Sequence, residues 1–215
     1  MSLNAQLTEK RQASKDGLPA DIHAAMMKAT KELSETGIVA KAPQVGEKLL
    51  NFELPNASGT NSNLQEILKE GPVVLTFYRG GWCPYCNLEL QAYQAVLSDI
   101  NAAGATLIAI TPELPDESLS TSEKNELAFE VLTDKNSEYA RELGLVFTLP
   151  EELRPIYSSF GIDVEKHNGK GQFDFPLAAT FVIGTDGIIV DAFVDADYTQ
   201  RKEPSETVKV LNDIS

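Results

Sequence analysis

The chain places its two cysteines, Cys83 and Cys86, two residues apart in the stretch "FYRGGWCPYCNLEL", residues 77–90. Such a pair can hold a metal, staple a loop or carry out redox chemistry. A closed zinc site takes four ligands. The two histidines, His23 and His167, do not fall at finger-like spacing, so no metal is expected. A single pair in a chain of 215 residues is not a disulfide framework either. Redox chemistry fits best. Two intervening residues at a helix start can bring sulfurs within bonding distance, so that one attacks a substrate and the other resolves the product as an internal disulfide.

Reactivity needs a thiolate, and the flanking sequence is built to favour one. "PVVLTFYR" is a nearly continuous run of β-branched, aliphatic and aromatic residues, the pattern of a strand buried on both faces. After Gly80 and Gly81, a stripe of Leu90, Tyr93, Leu97 and Ile100 runs at helical spacing and closes at Gly104. The cysteines therefore lie where a strand gives way to a helix, whose first turn carries unpaired N–H groups and partial positive charge. There a thiol can fall from an ordinary ~8.5 to roughly 3.5–7.5. Pro84 suits the first helical position. Arg79, at the strand end, is the candidate for a full positive charge near the sulfur, and Trp82 for shielding it from water. Trp82 and Tyr85 read as rim residues of a thiol site. The two glycines lack the Lys-Ser/Thr of a phosphate loop and serve a tight turn.

The elements around this unit follow in order. Ile22, Ala25, Met26, Ala29 and Leu33 mark a helix that Gly37 ends. Residues 1–44 read as an N-terminal helical extension and 45–215 as the main domain. "LLNFELPNASG" predicts an edge strand and turn, "NLQEILKEG" a short helix and "ATLIAIT" a second buried strand, parallel to the first through its crossover. Ser120 and Glu123 fit a capping box. "AFEVLTD" reads as a strand, 136–143 as a helix, "LPEELRPIYSSFG" as a helical insertion and "EKHNGKGQ" as a polar loop with a solvated His167. "ATFVIGTDGIIVDAFV" is a hairpin, and the tail after Pro204 is helical. Asp195 and Asp197 suggest a turn or a salt bridge with Arg201 rather than a cation site, and His23 a surface or packing residue. The order specifies one α/β domain with a central mixed sheet flanked by helices.

Composition bounds the rest. The net charge of −14 disfavours nucleic acid and anionic membrane surfaces. No apolar run spans a bilayer, and the first residues lack a secretory signal, so a cytoplasmic protein is expected.

These segments resemble the peroxiredoxin-like alkyl hydroperoxide reductase/thiol-specific antioxidant family of the thioredoxin superfamily. The likeness runs from about Val45 to Leu211, through "FELPNASG", "GPVVLTFYRGGWCPYCNLEL", "IAITPELPDESL", "EKNELAFEVLTD", "LGLVFTLPEELR" and "ATFVIGTDGIIVDAFVDADYTQR". It implies a thioredoxin-like fold, no cofactor, a peroxide or disulfide substrate, a thioredoxin- or glutathione-type reductant, and a homodimer. The family's peroxidatic cysteine falls on Cys86, its threonine on Cys83, its proline on Arg79 and a frequent glutamate on Glu89. Its peroxide-polarising arginine falls on Ala178, the thioredoxin cis-proline near Ala179, and the buried acid of thioredoxin on Phe77. The resemblance thus implies a thiol peroxidase in which Cys86 becomes the sulfenic acid and Cys83 closes the disulfide. Two alternatives stand beside it: a thioredoxin- or glutaredoxin-like oxidoreductase with Cys83 as nucleophile, and a redox-sensing binding module.

Overall fold

The computed structural model describes residues 1–214. Helices α1 (Leu3–Gly17) and α2 (Ala20–Glu35) lead into a short hairpin of β1 (Glu53–Pro55) and β2 (Asn61–Asn63), then α3 (Leu64–Ile67). Next come β3 (Val73–Phe77), α4 (Pro84–Ala95), α5 (Leu97–Ala102), β4 (Thr106–Thr111), α6 (Pro115–Lys124), β5 (Glu130–Thr133) and α7 (Glu138–Glu142). The chain continues through β6 (Val146–Thr148), α8 (Arg154–Ser159), α9 (Val164–Asn168), β7 (Asp174–Pro176), β8 (Ala178–Ile183), β9 (Ile189–Asp195) and α10 (Pro204–Ile214).

The central sheet has the order β5-β4-β3-β8-β9. β3 runs parallel to β4, and β4 to β5, while β8 is antiparallel to both β3 and β9. Two strand–helix–strand crossovers, the expected one through α4 and α5 and a second through α6, followed by a hairpin, give this mixed sheet. Every residue of β3 is buried. The period of two then divides the core. Val73, Leu75 and Phe77 face one layer with Ile108, Ile110, Phe181 and Tyr139. Val74 and Tyr78 face the other, with Leu90, Tyr93, Ile100, Cys83 and Cys86. The thiols thus lie in the layer that α4 covers.

Helix α1 belongs to that layer as well. Leu3 and Leu7 are fully buried in it, and the Glu203 carboxylate accepts the N–H groups of Leu3 (3.1 Å) and Asn4 (3.0 Å). Helix α2 buries no residue completely. Its Ala25, Met26 and Ala29 lean on a satellite cluster of Leu149, Leu153, Tyr157, Val164 and Phe175.

Several expectations need correction. The edge strand around Phe52 shrinks to β1, which pairs with β2 outside the main sheet. The long helix after Cys86 breaks at Val96, where ψ rises to 10°, giving α4 and α5. Ser120 is no N-cap. Pro115 starts α6 earlier, and the Ser120 hydroxyl donates to the Asp116 carbonyl within the helix. The polar stretch around His167 contains α9, capped by Asp163, whose carboxylate accepts the Lys166 N–H. Of the two readings of Asp195 and Asp197, the turn holds and the salt bridge does not, since Arg201 pairs with Glu89. Asp195 and Asp197 instead accept N–H groups from Asp197 and Thr199, two residues on from each.

Candidate active site

Sequence and backbone together bring the sulfurs to one end of α4. Cys83 is the N-cap, Pro84 occupies the first turn and Cys86 follows one position later than Tyr85 on the buried face. The Cys83 N–H donates to Gly80 O (3.0 Å), which turns the chain sharply after β3. The glycine after it, Gly81, must be bare. A Cβ on Gly81 would sit 2.0 Å from Thr121 Oγ1. The Gly81 N–H in turn donates to Glu113 Oε1 (2.8 Å), so a carboxylate after β4 pins the loop.

Glu113 is itself a fully buried hub. Its Oε2 accepts from the Tyr78 hydroxyl (3.2 Å) and the Thr121 hydroxyl (3.1 Å). His167 Nδ1 lies 3.0 Å from Glu113 Oε1 and 3.1 Å from Glu117 Oε2. His167 is therefore not solvated in a loop: α9 carries it against two carboxylates, and it ties the late insertion to the cysteine turn.

Both cysteines are free, fully buried, and each meets a guanidinium. Arg79 Nη2 donates to Cys83 Sγ at 3.1 Å and its Nη1 to the Tyr157 hydroxyl at 3.2 Å. The Arg79 guanidinium rests against the Tyr198 ring (4.0 Å to the centroid) and the Trp82 ring (5.1 Å). Arg201 Nη2 donates to Cys86 Sγ at 3.3 Å, and its Nε pairs with Glu89 Oε2 at 2.5 Å. Arg201 also caps the turn before it by donating to the carbonyls of Tyr198 and Gln200. Tyr85 packs edge-on to Tyr198 and shares a hydrogen bond with Ser14 of α1 (3.3 Å).

The two thiols are driven in opposite directions. Burial pushes the Cys83 thiol up, but a hydrogen bond from Cys86 and the charges of Arg79 and Arg201 outweigh it, and Cys83 falls well below the ordinary thiol range. Burial raises Cys86, and so do its hydrogen bond to Cys83 and the nearby Cys83 charge; Arg201 and Arg79 only partly oppose this. The surroundings thus bias the pair toward negative charge on Cys83 and a proton on Cys86. Burial also raises the Glu89 carboxyl to about 7, against the pull of Arg201.

Arg79, Trp82, Pro84, Tyr85 and Glu89 thus gather around the sulfurs with Arg201, Tyr157, Tyr198 and Glu113, which the sequence had left outside the site. The position of the family's arginine, Ala178, carries no cation here; two guanidiniums stand at the sulfurs, Arg79 from the end of β3 and Arg201 from the turn after β9. Only the quoted run through "DADYTQR" offered a signal for Arg201, and the adjacent aspartates masked it. Tyr157 lay in a segment readable only as an insertion.

Comparison with known proteins identifies the family and the fold. Residues 45–192 match the model of the AhpC/TSA family. A chloroplastic peroxiredoxin Q of Triticum aestivum is 24% identical over 196 residues, 91% of this chain and 79% of its own length. The crystal structure of peroxidoxin BcpB from Mycobacterium tuberculosis superposes with a TM-score of 0.63 at 22% identity, covering 80% of this chain and 98% of that one. A peroxiredoxin 6 of Arenicola marina gives a TM-score of 0.64 at 20% identity, covering 80% of this chain and 73% of that one. At these identities the structures are similar in fold.

Proposed function

Because this chain belongs to the AhpC/TSA family and is a thiol-dependent peroxidase with a thioredoxin-like fold, we propose that Cys83 attacks the peroxide and Cys86 resolves it. The observation that carries this order is the setting of the two guanidiniums: Arg79 Nη2 lies 3.1 Å from the Cys83 sulfur without a carboxylate partner among the described residues, whereas Arg201, 3.3 Å from Cys86, is paired with Glu89. In the first step the Cys83 thiolate forms an S–O bond with one peroxide oxygen as the O–O bond breaks. The other oxygen leaves as alkoxide or hydroxide and takes a proton, giving alcohol or water and Cys83 sulfenic acid. Arg79 is a donor for that leaving oxygen, and one such donor is worth about 10²–10³ in rate. Cys86 then loses its proton and attacks the Cys83 sulfur. An S–S bond forms, the S–O bond breaks and water departs. A thiol reductant supplies two electrons to restore both thiols.

Both sulfurs are buried, so reaction requires a side chain to swing aside. Trp82 and Tyr198, half-buried beside Arg79, are the natural gates. For the reductant we favour a thioredoxin-type dithiol, since an internal disulfide needs a second thiol to release a mixed-disulfide intermediate. A cycle that returns to free thiols suits a reducing, cytoplasmic compartment. The described residues contain no helix long and apolar enough to cross a membrane. We also expect a homodimer, which sedimentation equilibrium would test.

A specific contact favours a second order of attack. Arg201 and Glu89 surround Cys86 as an ion pair, and the family's peroxidatic position falls on Cys86. One experiment decides. Cys86→Ser and Cys83→Ser proteins are treated with hydrogen peroxide and a dimedone-type trap, and the adduct is located by mass spectrometry. Sulfenate on Cys83 in the Cys86→Ser protein supports our order. Rapid sulfenate on Cys86 in the Cys83→Ser protein, with Cys83 inert, refutes it. Inertness of both proteins and of the wild type to peroxide, with fast reduction of a model disulfide, would restore the thioredoxin-like alternative.

A further inference from the structure

One side chain at the sulfurs holds a proton that nothing takes. The Tyr157 hydroxyl accepts from Arg79 Nη1 at 3.2 Å, and among the described residues no acceptor takes its own proton. The other tyrosines around the sulfurs are engaged differently. Tyr78 donates to Glu113 (3.2 Å), Tyr85 shares its hydrogen bond with Ser14 (3.3 Å), and Tyr198 meets the Arg79 guanidinium with its ring. Tyr157 comes from α8, packs edge-on to Trp82 (5.7 Å between centroids), and lies with Arg79 on the wall of a cleft of about 190 Å³.

We infer that Tyr157 is the general acid of the peroxidase step: its hydroxyl gives its proton to the oxygen that leaves when the Cys83 thiolate breaks the O–O bond. The inference rests on the Cys83-first order proposed above and supplies the proton source that this order leaves open.

Geometry argues first. A guanidinium is a rigid planar fork with donors in fixed directions. One of its terminal nitrogens, Nη2, holds the Cys83 sulfur at 3.1 Å, and the neighbouring Nη1 holds the phenol at 3.2 Å. Sulfur and phenol are thereby set on adjacent nitrogens of one side chain. A peroxide is two bonded oxygens. When the sulfur meets one of them in line, the other is carried past Nη2 toward the second nitrogen and its phenol. Chemistry argues next. Hydroxide and alkoxide leave readily only if protonated as they depart, and a positioned acid contributes about 10²–10⁴ in rate. Arg79 does not fill that role, because a guanidinium keeps its protons and offers only hydrogen bonds. A phenol is a far stronger acid than water or an alcohol, so the transfer runs downhill. The phenolate left behind sits on a guanidinium that has no carboxylate partner among the described residues.

The step balances. The Cys83 sulfur bonds one oxygen as the O–O bond breaks, so the sulfur is oxidised to the sulfenic acid and the peroxide is reduced. The electron pair of the broken bond goes to the departing oxygen, which takes the Tyr157 proton and leaves as water or alcohol. Solvent in the cleft, on whose wall Tyr157 lies, then returns a proton to the phenolate.

The test sets two oxidants with different leaving groups against the loss of one proton. Sulfenate formation on Cys83 is timed in the Cys86→Ser protein, with and without Tyr157→Phe, using hydrogen peroxide and peracetic acid. Hydroxide needs a proton as it leaves, whereas acetate does not. Tyr157→Phe should slow the reaction with hydrogen peroxide by about 10²-fold or more and leave that with peracetic acid nearly unchanged. Alkylation of Cys83 by iodoacetamide, in which iodide leaves unprotonated, should also stay nearly unchanged. An equal loss with both oxidants, or an unchanged rate with hydrogen peroxide, would overturn the inference. A matching loss in alkylation would make Tyr157 a support for Arg79 and overturn it too. Urea unfolding identifies a variant that fails to fold, and Tyr157→Met, which removes the same proton, then carries the comparison. Failure of the underlying order looks different: the Cys86→Ser protein with Tyr157 intact would form no sulfenate with either oxidant, and the inference would fall with it.

Discussion

Glu89 offers a prediction whose size follows from its surroundings. The carboxyl is fully buried, one of its oxygens pairs with Arg201, and the other, Oε1, has no hydrogen-bond partner. It titrates at about 7 rather than the ordinary 4.5, chiefly because burial disfavours the charge. In the unfolded chain the same carboxyl releases its proton near the ordinary value. The folded state therefore holds a proton through a window in which the unfolded state does not. Stability from this group is fully present below about 4.5 and is lost as pH rises through 7. At 1.36 kcal/mol per pH unit, the gap between about 7 and 4.5 amounts to roughly 3 kcal/mol. Glu89→Gln keeps the shape and removes the titration. Urea unfolding of both reduced proteins, from pH 4 to pH 8.5 in steps of about half a unit, gives the stability difference between them at each pH. Cysteine ionisation is common to both and largely subtracts. Wild type should lose about 3 kcal/mol relative to Glu89→Gln across this range. A difference that stays flat, or that grows in favour of wild type as pH rises, would show that Glu89 is ionised throughout, and the burial argument would fail.

Three further outcomes test other parts of the structure. Arg79→Met should shift the pH midpoint of Cys83 alkylation by iodoacetamide upward and slow sulfenate formation by about 10²–10³-fold; an unchanged profile would remove Arg79 from the site. Gly81→Ala should destabilise the fold by roughly 1–3 kcal/mol through its clash with Thr121, read as a lowered urea midpoint, and a neutral effect would mean that the Glu113-pinned turn is slack. Leu7→Ala should cost roughly 2–5 kcal/mol if α1 is part of the core that holds the thiols. A loss within experimental error would make it an appendage.

The elements most legible in the sequence were those whose burial is complete on both faces. β3, β4 and β8 are runs of apolar residues that no surface role would tolerate, and Gly104 and Gly187 punctuate them at positive φ. The Cys83-Pro84-Tyr85-Cys86 turn was equally plain, since Pro84 marks a first helical turn. What escaped were contacts made across long sequence distances by polar residues. Arg201 reaches Cys86 from 115 positions away, and no local pattern distinguishes it from a surface arginine beside two aspartates. Glu113 reads as a loop acid, yet it collects Tyr78, Gly81, Thr121 and His167. Around Phe52 the alternation suggests a longer strand than β1, because alternation cannot say which sheet a strand joins. Helix α1 was read only as part of a polar extension. Its two buried leucines, one turn apart, are a faint signal among charged neighbours.

The junction of Leu3 and Asn4 with Glu203 has a consequence for biosynthesis. Helix α1 docks against a carboxylate 200 positions further along the chain, and its Leu3 and Leu7 share a cluster with Leu211. During elongation at about 5–20 residues per second, α1 must wait roughly 10–40 seconds for those partners to be made. The shell around the sulfurs closes only after Glu203 and Leu211 have been made, so a nascent chain short of them would carry its reactive pair without its final cover.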